Sequence, residues 1–129
     1  MTSLPCLTES QEGDLLVAWL RVKGLKHHHS PNETGHTPEM KRRAIRMKRQ
    51  GTSKGFPDYT VVIPGTGLAC IELKRCKGST TSPEQLEWIT SLNSVPGVEA
   101  RICKGAAESI AFITELLSVS NNLQTGDMF

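Results

Sequence analysis

Asp58, Glu72 and Lys74 stand in GFPDYTVVIPGTGLACIELKR, residues 55–75, two short apolar runs around a glycine-bearing turn. Side chains alternate faces along a strand. Glu72 and Lys74 therefore share one face, and Ile71 and Leu73 take the other, toward a core. Asp58 joins Glu72 only if the hairpin loop is odd, such as Gly65-Thr66-Gly67, placing it opposite Glu72 or Lys74. A two-residue loop would throw Asp58 to the opposite face, whereas a three-residue loop with a positive-φ glycine keeps it there. Neighbouring carboxylates repel and are costly near a core. A divalent cation removes that conflict. Mg²⁺ takes hard oxygen ligands, keeps several waters and needs only one or two protein carboxylates. The Leu73 carbonyl, between the two charged residues, offers a further oxygen. The Lys74 ammonium can orient a water or steady charge developing on a phosphate oxygen. The chemistry this set favours is metal-assisted hydrolysis of a phosphodiester. An ordinary Glu–Lys ladder on a half-exposed hairpin is the competing reading, and spacing alone does not separate the two.

Such groups need a scaffold. The chain has 129 residues, the size of one domain, and 37% hydrophobic content against 5% aromatic, so its core is mostly aliphatic. Cys6, Cys70, Cys76 and Cys103 show no CxxC spacing and read as buried free thiols of a reducing cytosol. No apolar run is long enough to span a bilayer, and MTSLPCLTES lacks the basic and apolar regions of a signal peptide. A soluble, cytoplasmic protein is expected.

The pattern predicts helix, short strand near His28, helix, hairpin, helix, strand, helix. Thr8 and Gln11 form a capping-box pattern ahead of Leu15, Leu16, Trp19 and Leu20, with Gly24 as the stop. Thr37 caps a second helix that opens on Pro38 and ends at Gly51. Ser82, Pro83 and Gln85 open a third. The strand at 68–75, the helix at 83–94 and the strand at 98–103 make a βαβ crossover, so the sheet is antiparallel in the hairpin and parallel after it. The last helix places Ala106, Ile110, Ile113 and Leu117 on one face. Residues 1–118 are expected to form one α/β domain, a central mixed sheet flanked by helices, and 119–129 a flexible tail.

The second helix carries Lys41, Arg42, Arg43, Arg46, Lys48 and Arg49 with few acids to balance them. With Lys54, Arg75 and Lys77 these form a candidate surface for tracking a phosphate backbone without reading bases. A merely solvated face is the plainer alternative. His27, His28 and His29 cannot chelate together, because adjacent strand residues point to alternate faces. At most one of them, His28 or His29, faces the site.

FPDYTVVIPGTGLACIELKR, with Pro57-Asp58 opening one strand and Glu72-Leu73-Lys74 in the next, resembles the PD-(D/E)xK nuclease signature. HHHSPNE resembles the H-x-P-N-E element of the virus-type replication–repair nuclease (VRR-NUC) domain, with Ser30 where an apolar residue is usual. RMKRQGTSKGFPD resembles its glycine-bounded approach to PD, SPEQLEWITSL its glutamine-bearing helix, and TESQEGDLLVAWL its first helix. Five elements in the right order cover most of residues 8–117.

The resemblance implies a restriction-endonuclease-like fold and roles for particular residues. Asp58, Glu72 and the Leu73 carbonyl would be metal ligands for Mg²⁺, with Mn²⁺ as a substitute. Lys74 would position water or stabilise the transition state, and Gln85 would reach the same pocket while also capping its helix. Glu12 would be the auxiliary acid, ranked above Glu9 because it aligns with the Leu16–Trp19 stripe. Asn32 and Glu33 would shape the site or simply turn the loop. Stand-alone members of the family resemble dimeric Holliday-junction resolvases. The implied activity is that of a homodimeric, structure-selective DNA endonuclease cutting branched DNA in a bacterial or phage-infected cell. A general nickase or exonuclease of the same fold, and a DNA-binding protein without catalysis, remain as rivals.

Overall fold

A computed structural model describes residues 5–30 and 36–126 of the chain. Its elements run α1 (Glu9–Lys23), β1 (His27–His29), α2 (Pro38–Arg49), β2 (Tyr59–Ile63), β3 (Gly67–Lys74), α3 (Pro83–Asn93), β4 (Val98–Lys104) and α4 (Gly105–Gly126). The helix starts sit where short-range chemistry dictates. The Thr8 hydroxyl accepts from the Gln11 amide at 3.1 Å while the Gln11 side chain accepts from the Thr8 amide at 2.9 Å. Two otherwise orphaned donors of α1 are thereby satisfied. Gly24, left-handed at φ 68°, closes the helix by turning its N–H back to the Leu20 and Arg21 carbonyls. Ser82 and Gln85 repeat the capping box at α3, with Pro83 in the first turn.

The four strands lie in the order β1-β2-β3-β4. β1 and β2 pair antiparallel, as do β2 and β3, and β3 and β4 pair parallel across α3. Ile63 pairs with Gly67, so the hairpin loop is Pro64-Gly65-Thr66. It is odd, as a shared face for Asp58 and Glu72 requires, and begins one residue earlier than the expected Gly65-Thr66-Gly67. Gly67 itself is held in close approach to the turn before β4. Leu68 N donates to Gly97 O at 2.8 Å, and a Cβ on Gly67 would collide with that carbonyl.

The core is aliphatic, as the composition requires. Leu16 and Leu20 of α1, Val61 and Ile63 of β2, Ala69, Ile71 and Leu73 of β3, and Ile113 of α4 are buried together, with Tyr59 and Phe112 the aromatic members. Each such leucine or isoleucine contributes about 1.5–3 kcal/mol of burial. β3 is buried from Ala69 to Leu73 without interruption, so Glu72 is enclosed on its own face too.

Two expectations need correction. α4 does not stop at Ser118. It runs to Gly126, and buried Ser120 donates its hydroxyl to Pro64 O at 2.9 Å, tying the helix to the hairpin loop. The polar composition of the last residues gives no sign of packing, because the anchor is a tertiary bond invisible to local sequence. Cys6 and Cys76 are also not free thiols. They form a disulfide with Cα atoms 5.9 Å apart, joining the lead into α1 to the segment leaving β3. Cys70 and Cys103 are free and buried, as expected. Among the described residues no helix is long and apolar enough to cross a membrane.

Candidate active site

The ladder ends where Tyr59 pairs with Ile71, and Asp58, the residue just before it, falls in register with Glu72. Both acids are enclosed, Asp58 at 5% exposure and Glu72 at 2%. Asp58 Oδ2 accepts from the Leu73 amide at 2.8 Å, which fixes one carboxylate against the backbone of the E-L-K segment. Glu72 Oε1 accepts from Gln85 Nε2 at 2.6 Å and lies 3.5 Å from Lys74 Nζ. Lys74 Nζ in turn donates to Gln85 Oε1 at 3.1 Å, the same oxygen that accepts from the Ser82 amide at 2.9 Å. Gln85 thus closes the capping box of α3 and bridges Glu72 to Lys74 at once. The arrangement brings Asp58, Glu72, Lys74 and Gln85 together.

This cluster is electrostatically incomplete. Burial first, and then the Asp58 carboxylate, push the Glu72 pKa up to about 7, against the pull of Lys74. Burial also raises Asp58, a rise opposed by the Leu73 N–H and reinforced by Glu9. Glu72 Oε2 is buried with no hydrogen-bond partner among the described residues. An orphaned carboxylate oxygen beside a second acid fits a cation-binding role. No three His, Cys, Asp or Glu side chains among the described residues form a metal-binding group. An ion here would rest on two carboxylates, a backbone carbonyl and waters. That donor set fits Mg²⁺ and not a structural zinc.

The structure places Glu12 and Glu9, the two acids weighed for the auxiliary role, in different surroundings. Glu12 points to the start of α4, where its Oε1 accepts from the Ala106 amide at 3.4 Å. A Cβ on Gly105 would collide with Glu12 Oε2. Glu12 therefore caps a neighbouring helix, whose N-terminus attracts a carboxylate. Glu9 instead shares with Asp58 a cavity of about 710 Å³ between α1 and the β1–β2 edge. It also raises the pKa of both Asp58 and Glu72. One helical turn separates the two candidates, so the α1 stripe alone could not distinguish them.

The approach to Asp58 is held by α3. Phe56 packs edge-on against Trp88 at 4.9 Å between ring centroids. Gly55 is buried at φ +93°, and a Cβ there would come within 2.7 Å of the Glu84 carbonyl carbon and 2.8 Å of the Gln85 amide. Gly55→Ala is therefore expected to displace the first turn of α3, and Gln85 with it. Any reaction that depends on this cluster should fall by about 10²-fold, the scale of a misplacement near 1 Å. Kinetics of the G55A protein, with its near-ultraviolet dichroism as a fold control, provide the check.

The predicted basic residues are all exposed. Lys41, Arg42, Arg43, Arg46, Lys48 and Arg49 project from α2, which buries no residue, and Lys54, Arg75 and Lys77 lie on connecting segments. Of the histidines, His29 lines the cavity with Asp58, while the His27 ring nitrogen Nδ1 is 2.9 Å from the Leu25 carbonyl. Asn32 and Glu33 lie outside the described residues. Sequence reasoning missed the Tyr59 ring, which stacks on His29 with centroids 4.6 Å apart. Alternation along β2 gives it only as a core residue.

Comparison with known proteins bears on the family and the fold. The family model for the VRR-NUC domain matches residues 8–107. A solved structure described as a VRR_NUC domain protein superposes with a TM-score of 0.71 at 27% identity, over 89% of this chain and 92% of that one. No curated protein matches the chain. With a family match that extends from the cap of α1 past β4, and a solved relative of the same architecture, the chain belongs to the VRR-NUC domain family and is a nuclease-type domain.

Proposed function

We propose that this protein is a Mg²⁺-dependent endonuclease that cuts branched DNA, acting as a homodimer on four-way junctions. The observation that carries the reading is the buried pair Asp58 and Glu72, whose orphan oxygen Glu72 Oε2 lies in a cluster completed by Lys74 and Gln85. Asp58, Glu72 and the Leu73 carbonyl would hold the ion, with Glu9 as the auxiliary acid. When bound, the ion would supply Lewis-acid polarisation of the scissile phosphate and lower the pKa of a water.

The chain's own residues do the positioning. Lys74, kept in place by Gln85, faces the same space as the carboxylates, where an ammonium can orient the attacking water and offset charge on the phosphate. Gln85 holds Glu72 and Lys74 in fixed relation while its backbone stays committed to the α3 cap. α2 and the exposed cations around it supply backbone contacts without base readout. Selectivity then comes from DNA shape. The described residues of one chain carry one such cluster, so symmetric paired cuts need two copies.

A panel of four-way junction, flap and linear duplex tests this, each in Mg²⁺ and in EDTA. Paired incisions on the junction, absent in EDTA, are expected. Equal cutting of linear duplex would favour a general nickase or exonuclease, and binding without cutting of any DNA would favour a non-catalytic binder. A separate expectation concerns α2. Replacing Arg42, Arg46 and Arg49 by Gln should weaken junction binding and flatten its salt dependence. The log–log slope should fall by roughly 0.9 for each phosphate that the variant no longer neutralises. Binding titrations at several salt concentrations read this directly.

A further inference from the structure

The cavity beside Asp58 has more in it than a metal site needs. Its walls include Ser10, Asp14 and Arg21 of α1, with His29 and Tyr59 from the sheet edge. Its volume, about 710 Å³, lies in the range of sites that bind a small organic group. His29 and Tyr59 are register partners on adjacent strands, so their side chains share a face. Their rings stack, 4.6 Å between centroids and 18° between planes. Tyr59 is 6% exposed and forms the base of this stack, while His29 is exposed above it. One face of the imidazole is therefore occupied by tyrosine; among the described residues no second ring stacks on the other, and His29 lines the cavity. Ser30 N donates to Asp58 O at 2.7 Å, so the backbone fixes the distance between this ring and the acid.

We propose that the face of His29 turned away from Tyr59 is a stacking platform for one nucleobase next to the scissile phosphate, and that the site therefore takes a nucleotide that has left the duplex stack. The proposal rests on the nuclease reading above. Inside a duplex both faces of a base are covered by its neighbours, so only an unstacked base can use this ring. Such bases occur at branch points, frayed ends and single strands, and unstacking is least costly there. Stacking on an aromatic ring tolerates any base, and Ser10, Asp14 and Arg21 provide polar partners for a base edge. The cavity thus couples cutting to local opening of DNA, without sequence readout.

The test maps the incision on a four-way junction in Mg²⁺, then replaces the nucleotide on each side of it by an abasic residue. Specificity constants are measured for the wild type, His29→Ala and His29→Phe. The abasic change on one side should cost the wild type about 5- to 50-fold, on the scale of losing one stacked base. H29A should lose a similar factor on intact DNA and nothing further on the abasic junction. H29F should recover most of the H29A loss and regain sensitivity to the abasic change. Losses that multiply, an H29A enzyme as fast as wild type, or an H29F enzyme as slow as H29A would each overturn the platform while leaving the nuclease intact. A wild type that cuts no DNA would overturn both readings together.

Discussion

Asp58→Asn is expected to lower Mg²⁺-dependent cleavage by on the order of 10³-fold, the upper end for losing one preorganised electrostatic partner, while junction binding in EDTA is unchanged. The substitution is close to isosteric and retains an oxygen to accept from the Leu73 amide, now at 2.8 Å from Asp58 Oδ2. What it removes is the charge. Burial already raises the Asp58 pKa, so the neutral amide suits the folded protein at least as well as the carboxylate does. The D58N protein should accordingly melt no lower than wild type. Single-turnover cleavage, filter binding and a thermal scan on the same preparation separate the three effects. Cleavage within tenfold of wild type would remove Asp58 from the chemistry.

The second large effect is a conflict between stability and function at Glu72. Its carboxyl, ordinarily near 4.5, is pushed to about 7 by burial and by Asp58. Between those values the folded protein keeps a proton that the unfolded chain has released. Unfolding free energy in the absence of metal therefore falls as pH rises from about 4.5 through 7, and the full cost is present only above that window. The shift corresponds to roughly 3 kcal/mol. Glu72→Gln should recover about that much at pH 8, none at pH 4, and should lose cleavage at every pH. Denaturant titrations in EDTA at several pH values measure it, and parallel pH curves for wild type and E72Q would contradict the assignment. If Glu72 ligates an ion, that binding is expected to strengthen as pH rises through about 7, because a carboxylate must be ionised to ligate.

Much of this scaffold was legible because its decisive signals are local. Thr8 with Gln11 and Ser82 with Gln85 announce two helix starts within four residues of sequence, and both boxes close as read. The odd hairpin loop follows from asking what register lets Asp58 meet Glu72, and glycine at 65 and 67 marks the place. Gln85 was readable as a cap from its own segment, whereas its reach toward Glu72 and Lys74 was legible only through the family resemblance. What escaped depends on distant segments. Glu12 and Glu9 both head α1, and only the arrival of α4, nearly a hundred residues later, claims Glu12 for the Ala106 amide. The Cys6–Cys76 bond joins segments 70 residues apart, with no spacing rule to connect them. Beyond Ser118, α4 carries Ser120, whose hydroxyl meets the Pro64 carbonyl of a loop on another element. The His29–Tyr59 stack needs the β1–β2 register, which a three-residue strand of histidines does not specify on its own.

Direct Mn²⁺ binding at pH 8, followed by calorimetry without DNA, bears most closely on whether Asp58 and Glu72 share an ion. Saturable binding is expected for the wild type, lost in D58N and E72Q, weakened in Glu9→Gln, and retained in Glu12→Gln. Binding by D58N and E72Q equal to wild type would show that the paired carboxylates hold no metal, and loss in E12Q alone would move the ion to the start of α4.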